Sequence, residues 1–209
     1  GKFITMLIRL YEQNPSARHV KMVADILRQG GTAIYPTDSV YALGCDLFSS
    51  KAIDRIAQIK GIKPEKAYFS IIFADLSHLS DFTMPLGNNV FKLMRRNLPG
   101  PFTFILPANH NVPKILKGRK KTIGIRIPDN RIILDIVREL GHPIVTTSVH
   151  DDDAIVEYTT DPELIYEKYG RMVDVVVHGG YGHNVPTTVI DCTEEEPVIV
   201  REGLRMPEM

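Results

Sequence analysis

The stretch Thr32-Ala33-Ile34-Tyr35-Pro36-Thr37-Asp38-Ser39-Val40-Tyr41-Ala42-Leu43-Gly44-Cys45 runs from one apolar segment through a proline turn into a second. Thr32 to Tyr35 has strand composition, and the proline behind it marks a turn. Between the two apolar runs stand Thr37, Asp38 and Ser39, side chains that close local hydrogen bonds in many turns. So many polar groups between two apolar runs also look like a site.

Outward from this stretch, helix and strand patterns alternate. Upstream, Asn14-Pro15 reads as an N-cap followed by a first-position proline, and Val20, Val23, Ile26 and Leu27 recur at helical spacing until Gly30-Gly31. Downstream, a helix from about Ser50 places Ile53, Ile56 and Ala57 on one face, and Tyr68 to Phe73 reads as a strand. A helix near Asn89 to Arg96, strands at Phe102 to Leu106 and Thr122 to Ile127, a helix over Asn130 to Leu140 and a strand at Pro143 to Thr147 follow. Asp161-Pro162 opens a short helix that closes near Gly170. Three late strands, Val173 to Val177, Thr187 to Ile190 and Val198 to Arg201, arrive without long crossovers and imply antiparallel pairs in a mixed sheet. The expectation is one α/β domain over residues 1–209, a twisted mixed sheet with flanking helices.

Composition excludes several classes. Lys plus Arg and Asp plus Glu number 25 each, so no global basic field draws nucleic acid, and an electropositive site must be local. A hydrophobic fraction of 44% and a charged fraction of 24% are those of an average soluble chain. No window approaches the roughly 18 apolar residues of a membrane span. Cys45 and Cys192 form neither a disulfide framework nor a CxxC pair, which suits a reducing compartment. The opening Gly1 to Met6 lacks an apolar leader with a small-residue cleavage site, so the expected location is the cytoplasm.

Several constellations carry chemistry. Lys60, Lys63 and Lys66 recur every third residue where the second helix ends, an ammonium cluster able to neutralise phosphate oxygens, although lysines there also complement the helix dipole. In Leu98-Pro99-Gly100-Pro101-Phe102-Thr103-Phe104, Thr103 points opposite to its two phenylalanine neighbours. Arg126 interrupts the apolar strand Ile123-Gly124-Ile125-Arg126-Ile127-Pro128, and a buried guanidinium needs an anion, from a protein carboxylate or from a ligand. Thr146-Thr147-Ser148 ends a strand, where open α/β sheets bind ligands. Gly179-Gly180-Tyr181-Gly182 has neither the Lys-Ser/Thr ending of a P-loop nor GxGxxG spacing and reads as a mobile turn. There is no HExxH, no zinc spacing and no GxSxG elbow, so neither a structural metal nor a serine hydrolase is expected.

Taken in order, Pro36-Thr37-Asp38-Ser39-Val40-Tyr41-Ala42-Leu43-Gly44, Lys60-Gly61, Pro99-Gly100-Pro101-Phe102-Thr103, Gly124-Ile125-Arg126-Ile127-Pro128, Thr147-Ser148, Thr187-Thr188-Val189-Ile190-Asp191 and Arg201-Glu202-Gly203 resemble the YrdC-like family. The resemblance spans about residues 16–203 and is nearest the YciO-type branch, through Tyr41 to Cys45 and His178-Gly179-Gly180-Tyr181 before Pro186 to Asp191. It implies a sheet with a central concave cavity and a nucleotidyltransferase activity. L-threonine and bicarbonate would combine as a carbamate, which takes the adenylyl group of ATP, with Mg²⁺, and releases pyrophosphate on the way to a modified adenosine in tRNA. It further implies Lys60 and Arg126 as catalytic groups, and Lys60, Lys63, Thr103, Ser148 and Arg201 toward the nucleotide. Ser39, Lys66, Arg126 and Thr187 would face the amino acid.

Three departures weaken the phosphate clamp. The family's Lys-x-Arg is here Lys60-Gly61-Ile62, its Ser-Ala-Asn is Ser148-Val149-His150, and its Ser-Thr-Val is Thr187-Thr188-Val189. Losing one preorganised donor costs about 2.7–4 kcal/mol of transition-state stabilisation, so weakened activity or an altered substrate is expected. The family is also associated with double-stranded RNA and tRNA. RNA binding without efficient catalysis would use Lys92, Arg95 and Arg96 on one helix and the run Lys117, Arg119, Lys120 and Lys121. A scaffold that binds nucleotide without turnover is a third expectation.

Overall fold

In Thr122-Ile123-Gly124-Ile125-Arg126-Ile127 every second side chain is isoleucine, and all three isoleucines are buried. That period-two rule decides what each strand shows to either face of the sheet. The computed structural model of the protein describes residues 5–61, 69–149 and 160–209. Its strands are β1 (Met6–Arg9), β2 (Thr32–Tyr35), β3 (Ala42–Asp46), β4 (Ser70–Ile72), β5 (Gly100–Pro107), β6 (Thr122–Ile127), β7 (Ile144–Ser148), β8 (Val175–His178), β9 (Thr188–Asp191) and β10 (Val198–Arg201). Its helices are α1 (Ala17–Arg28), α2 (Ser50–Lys60), α3 (Asn88–Asn97), α4 (Lys114–Lys117), α5 (Arg131–Leu140) and α6 (Pro162–Tyr169).

The ten strands form one mixed sheet in the order β1-β8-β2-β3-β7-β4-β6-β5-β9-β10. Two apolar cores lie on its two faces. On one, α1 and α5 pack together over Ala33, Tyr35, Ala42, Ile72, Ile144, Val175 and Val177. On the other, Ile53 and Ile56 of α2, Leu93 and Met94 of α3 and Ile165 of α6 cover Leu43, Ile71, Phe104, Ile125, Val145 and Ile190. Neighbouring residues such as Ile71 and Ile72 therefore belong to different cores, as pleating requires.

Side-chain caps fix the helix starts. Asn130 Oδ1 accepts from the amides of Ile132 and Ile133 at 2.9 and 3.3 Å, and Asp161 Oδ1 accepts from that of Glu163 at 2.9 Å. The first helix begins later than the Asn14-Pro15 reading: Ser16 is the cap, its Oγ accepting from the His19 amide at 3.4 Å. At the end of α2, Gly61 takes the left-handed conformation at φ 71°, and the helix stops there, ahead of Pro64.

The late strands depart from the antiparallel expectation. β8 inserts between β1 and β2 and runs parallel to both, and β9 runs parallel to β5. Only β9 with β10 forms an antiparallel late pair. The missing long helices were a poor guide because these strands do not seek one another: β8 joins one half of the sheet and β9 the other. Among the described residues no helix is long and apolar enough to cross a membrane.

Candidate active site

The face that α1 and α5 cover at one end of the sheet is open farther along. In β4, Ile72 sits in that core while Ser70, two residues earlier on the same face, lines a cavity of about 710 Å³. In β7 the same change occurs between Ile144 and Thr146. Across the contiguous strands β7, β4, β6, β5, β9 and β10 this face contributes Ser148, Ser70, Gly124 with Arg126, Thr103, Val189 and Arg201. Thr187 stands one residue ahead of β9, Ser39 comes from the β2–β3 turn, and Lys60 comes from the last turn of α2.

Gly124 explains why there is room. A Cβ built on it would stand 2.6 Å from Ser70 Oγ and 2.9 Å from Thr103 Cγ2, so any larger residue would fill the floor. Arg126, two residues on, is 6% exposed, and its Nη2 donates to Ser39 Oγ at 3.2 Å. Among the described residues it makes no ion pair. Burial pushes its pKa down, opposed by the charge of Asp38. Of the two partners the sequence left open for this guanidinium, a carboxylate in contact is absent among the described residues, and the ligand alternative stands.

The β2–β3 turn holds Ser39 in place. Thr37 Oγ1 accepts from the Ser39 amide at 3.0 Å and donates to the Val40 carbonyl at 2.6 Å. Asp38, between them, lines a second hollow of about 460 Å³ with Glu12, Asp129 and Arg205. Its Oδ2 accepts from the Asp129 amide at 2.8 Å, while Oδ1 is buried with no hydrogen-bond partner among the described residues. Burial raises the Asp38 pKa, against the Asp129 amide and the charge of Arg126. One turn thus separates a hollow lined by acids from a cationic cavity.

The remaining groups are held by neighbours. Lys60 Nζ donates to the Ser148 carbonyl at 2.8 Å. Arg201 grips the Thr187 carbonyl through Nε and Nη2 at 3.1 and 2.8 Å, and its Nη2 also reaches Thr187 Oγ1 at 3.1 Å. Thr103 Oγ1 lies 2.7 Å from Thr187 Oγ1. Tyr35, fully buried in the α1/α5 core on the same face of the sheet, donates to Thr146 Oγ1 at 2.6 Å.

The structure therefore brings Ser39, Lys60, Thr103, Arg126, Ser148, Thr187 and Arg201 into one cavity. Lys63, Lys66, Ile62 and His150 lie outside the described residues. Of the basic residues read for RNA, Lys117, Arg119 and Lys120 line the cavity and Lys92, Arg95 and Arg96 do not, with Arg96 donating to the Met209 carbonyl at 2.7 Å. Ser70 and Gly124 escaped the sequence reading, although a glycine inside an apolar strand signals a close approach. Gly179 to Gly182 is an anchored turn: the Gly179 amide donates to Tyr41 Oη at 3.0 Å, and Tyr41 Oη donates to the Gly180 carbonyl at 2.7 Å.

The described lining includes the cations Lys60, Lys117, Arg119, Lys120, Arg126 and Arg201 and no carboxylate. Apolar walls at Ile105, Ile115, Leu116, Ile123 and Val189 focus that charge. Such a hollow suits an anion with hydroxyl-bonding groups. It does not suit a resident Mg²⁺, which proteins hold through carboxylates, and among the described residues no group of three His, Cys, Asp or Glu side chains could hold a metal.

Comparison with known proteins agrees with this architecture. The Sua5_yciO_yrdC family profile, described as "Telomere recombination", matches residues 25–203. The protein YciO of Escherichia coli strain K12 is 41% identical over 197 residues, covering 93% of this chain and 94% of its own. The E. coli YciO crystal structure superposes with a TM-score of 0.88 over 96% of each chain. A threonylcarbamoyl-AMP synthase of Nitrosococcus oceani is 34% identical over 160 residues, 77% of this chain and 85% of that one. The crystal structure of Pyrococcus abyssi Sua5 complexed with L-threonine is 27% identical, with a TM-score of 0.86 over 95% of this chain and 58% of that chain. By these matches in sequence and in fold, the chain belongs to the Sua5/YciO/YrdC family.

Proposed function

We propose that the cavity is the active site of a threonylcarbamoyl-adenylate synthase, working slowly or on an altered amino acid. The observation that carries this reading is Arg126, a buried guanidinium without an ion pair among the described residues, on the floor of a cavity whose described lining has no carboxylate. A buried cation is costly unless an anion meets it, and a carboxylate or phosphate would be that anion. The resemblance to a threonylcarbamoyl-AMP synthase, and to a Sua5 complexed with L-threonine, supports the choice of substrates.

In this reading the amine of threonine takes up bicarbonate with loss of water, giving an N-carboxylate. One carbamate oxygen attacks the α-phosphorus of ATP, the bond from that phosphorus to the bridging oxygen breaks, and pyrophosphate leaves with the electron pair. The chain's own part is positioning and charge. Arg126 and Ser39 hold the carboxylated amino acid, Thr103 and Thr187 offer hydroxyls, and Lys60, Ser148 and Arg201 face the nucleotide. Cations pre-set around developing charge lower the barrier because they need no reorganisation when the bond breaks. Lys63 and Lys66 belong to the same reading, on the segment after α2. Mg²⁺ would enter on the phosphate oxygens of ATP.

The test is to incubate the protein with ATP, Mg²⁺, bicarbonate and L-threonine and to measure pyrophosphate against a Lys60→Ala control. Release above the control that depends on threonine supports the reading; equal release from the two proteins refutes it. A second reading, binding of duplex RNA or tRNA without efficient turnover, is favoured by Lys117, Arg119 and Lys120 at the cavity. It requires affinity that falls steeply with salt, and salt-independent binding would exclude it.

A further inference from the structure

We propose that the turn joining α4 to β6, Lys117 to Lys121, holds the terminal phosphates of a nucleoside triphosphate, with Arg119 and Lys120 as the groups that distinguish a triphosphate from a monophosphate. This rests on the nucleotide reading above and assigns one end of the cavity to one end of the ligand.

The cavity has a polarity. At its floor Arg126 is 6% exposed and hydrogen-bonded to Ser39, a fixed donor suited to one anionic group. On the turn, Lys117 is half-buried while Arg119 and Lys120 are exposed, yet all three line the same cavity. Cations that remain in water at the mouth suit a chain of phosphate oxygens that stays partly hydrated. Neither Arg119 nor Lys120 makes an ion pair among the described residues.

The turn is held at both ends. Lys117 Nζ donates to the Asn109 carbonyl at 3.2 Å, and the Ala108 amide donates to the Lys121 carbonyl at 2.9 Å. Gly118 has φ 63° and ψ −167°, a region only glycine enters readily, and Lys121 has φ 55°. Both ends are thereby tied to the segment that follows β5, and Arg119 and Lys120 lie between two fixed points beside the cavity. The bland alternative, a solvated basic face, applies to Lys92 and Arg95 of α3, which do not line the cavity. That pair makes the internal control.

The experiment is titration calorimetry of the full chain with ATP, AMP, inorganic tripolyphosphate and a short RNA duplex, comparing wild type, R119A/K120A and K92A/R95A. The expected result is that R119A/K120A weakens ATP and tripolyphosphate by about tenfold or more, the sum of two favourable, partly exposed charge contacts. AMP should stay within about twofold by the same arithmetic, and K92A/R95A should change nothing. The proposal is overturned if AMP weakens as much as ATP, if K92A/R95A matches the turn variant, or if tripolyphosphate does not bind wild type. It is also overturned if R119A/K120A weakens only duplex RNA. Tripolyphosphate binding through Arg119 and Lys120 without any pyrophosphate production would keep this assignment and refute the synthase. Threonine-dependent pyrophosphate release with R119A/K120A unchanged in binding would do the reverse.

Discussion

Replacing Arg126 by methionine separates its cost to the fold from its worth to a ligand. The side chain is 6% exposed, has one hydrogen bond from the described residues, to Ser39 Oγ at 3.2 Å, and feels Asp38 without ion-pair contact. Burying a guanidinium costs several kcal/mol, and an apolar residue of similar volume often leaves a protein as stable or more stable by about 1–4 kcal/mol. Against that stands the lost charged hydrogen bond, about 1.5–3 kcal/mol. The two terms nearly cancel, so the ligand-free variant should unfold between about 2 kcal/mol below wild type and about 2.5 kcal/mol above it. Binding should suffer far more. Removing a buried charged contact costs about 2–5 kcal/mol, so Kd for L-threonine, whose carboxylate Arg126 is proposed to hold, rises roughly 100-fold at a loss of about 2.7 kcal/mol. With L-threonine at 100 times the wild-type Kd, wild type gains about 2.7 kcal/mol and the variant about 0.4 kcal/mol. For a chain of this size that is a shift in Tm of about 5–11 °C against about 1–2 °C. Differential scanning fluorimetry with and without L-threonine reads both numbers. A ligand-free variant destabilised by about 3–5 kcal/mol would mark Arg126 as one half of a structural pair, and a wild-type-sized L-threonine shift in the variant would refute its place in the site.

Other outcomes follow from the same geometry. Gly124→Ala puts a methyl 2.6 Å from Ser70 Oγ and 2.9 Å from Thr103 Cγ2; it should cost about 1–3 kcal/mol in denaturant unfolding and abolish the ATP shift, with Ser70→Ala recovering part of both. Tyr35→Phe removes the 2.6 Å bond to Thr146 and should lower stability by about 1–2 kcal/mol, read from the urea midpoint. Asp38 has a raised pKa in the folded state, so the folded chain binds more protons than the unfolded one as pH climbs above the ordinary value of 3.8, and stability falls through that window. Asp38→Asn should therefore match wild type below that pH and exceed it above, in Tm measured across a pH series. A constant difference would show that the charge is not the cause.

What the sequence disclosed depended on how much of each signal is local. Thr32 to Tyr35, Thr122 to Ile127 and Val198 to Arg201 appear in the structure with the ends expected, because turn residues bracket short β-rich runs. β1 was not anticipated: it is a four-residue edge strand with one buried side chain and no clear alternation. β3 escaped for the opposite reason, since all five residues are buried and Gly44 weakens its strand character. Arg126 and Thr103 stood out because polar side chains inside apolar strands need an explanation. Gly124 did not, since only three dimensions show Ser70 and Thr103 pressing toward it. Nor did chain order reveal that the basic run after α4 turns toward the cavity while the equally basic α3 does not.

The strand order has one more consequence. β8 enters the sheet between β1 and β2, whereas β9 and β10 close its far edge beside β5. The final third of the polypeptide is thus stitched into both ends of the molecule. A fragment ending after β7 would retain Lys60, Thr103 and Arg126 yet lack an interior strand and the Thr187–Arg201 clasp. The chain cannot be divided into a half that builds the cavity and a half that supports it, and the groups that line the cavity come into register only once synthesis has reached the last strand.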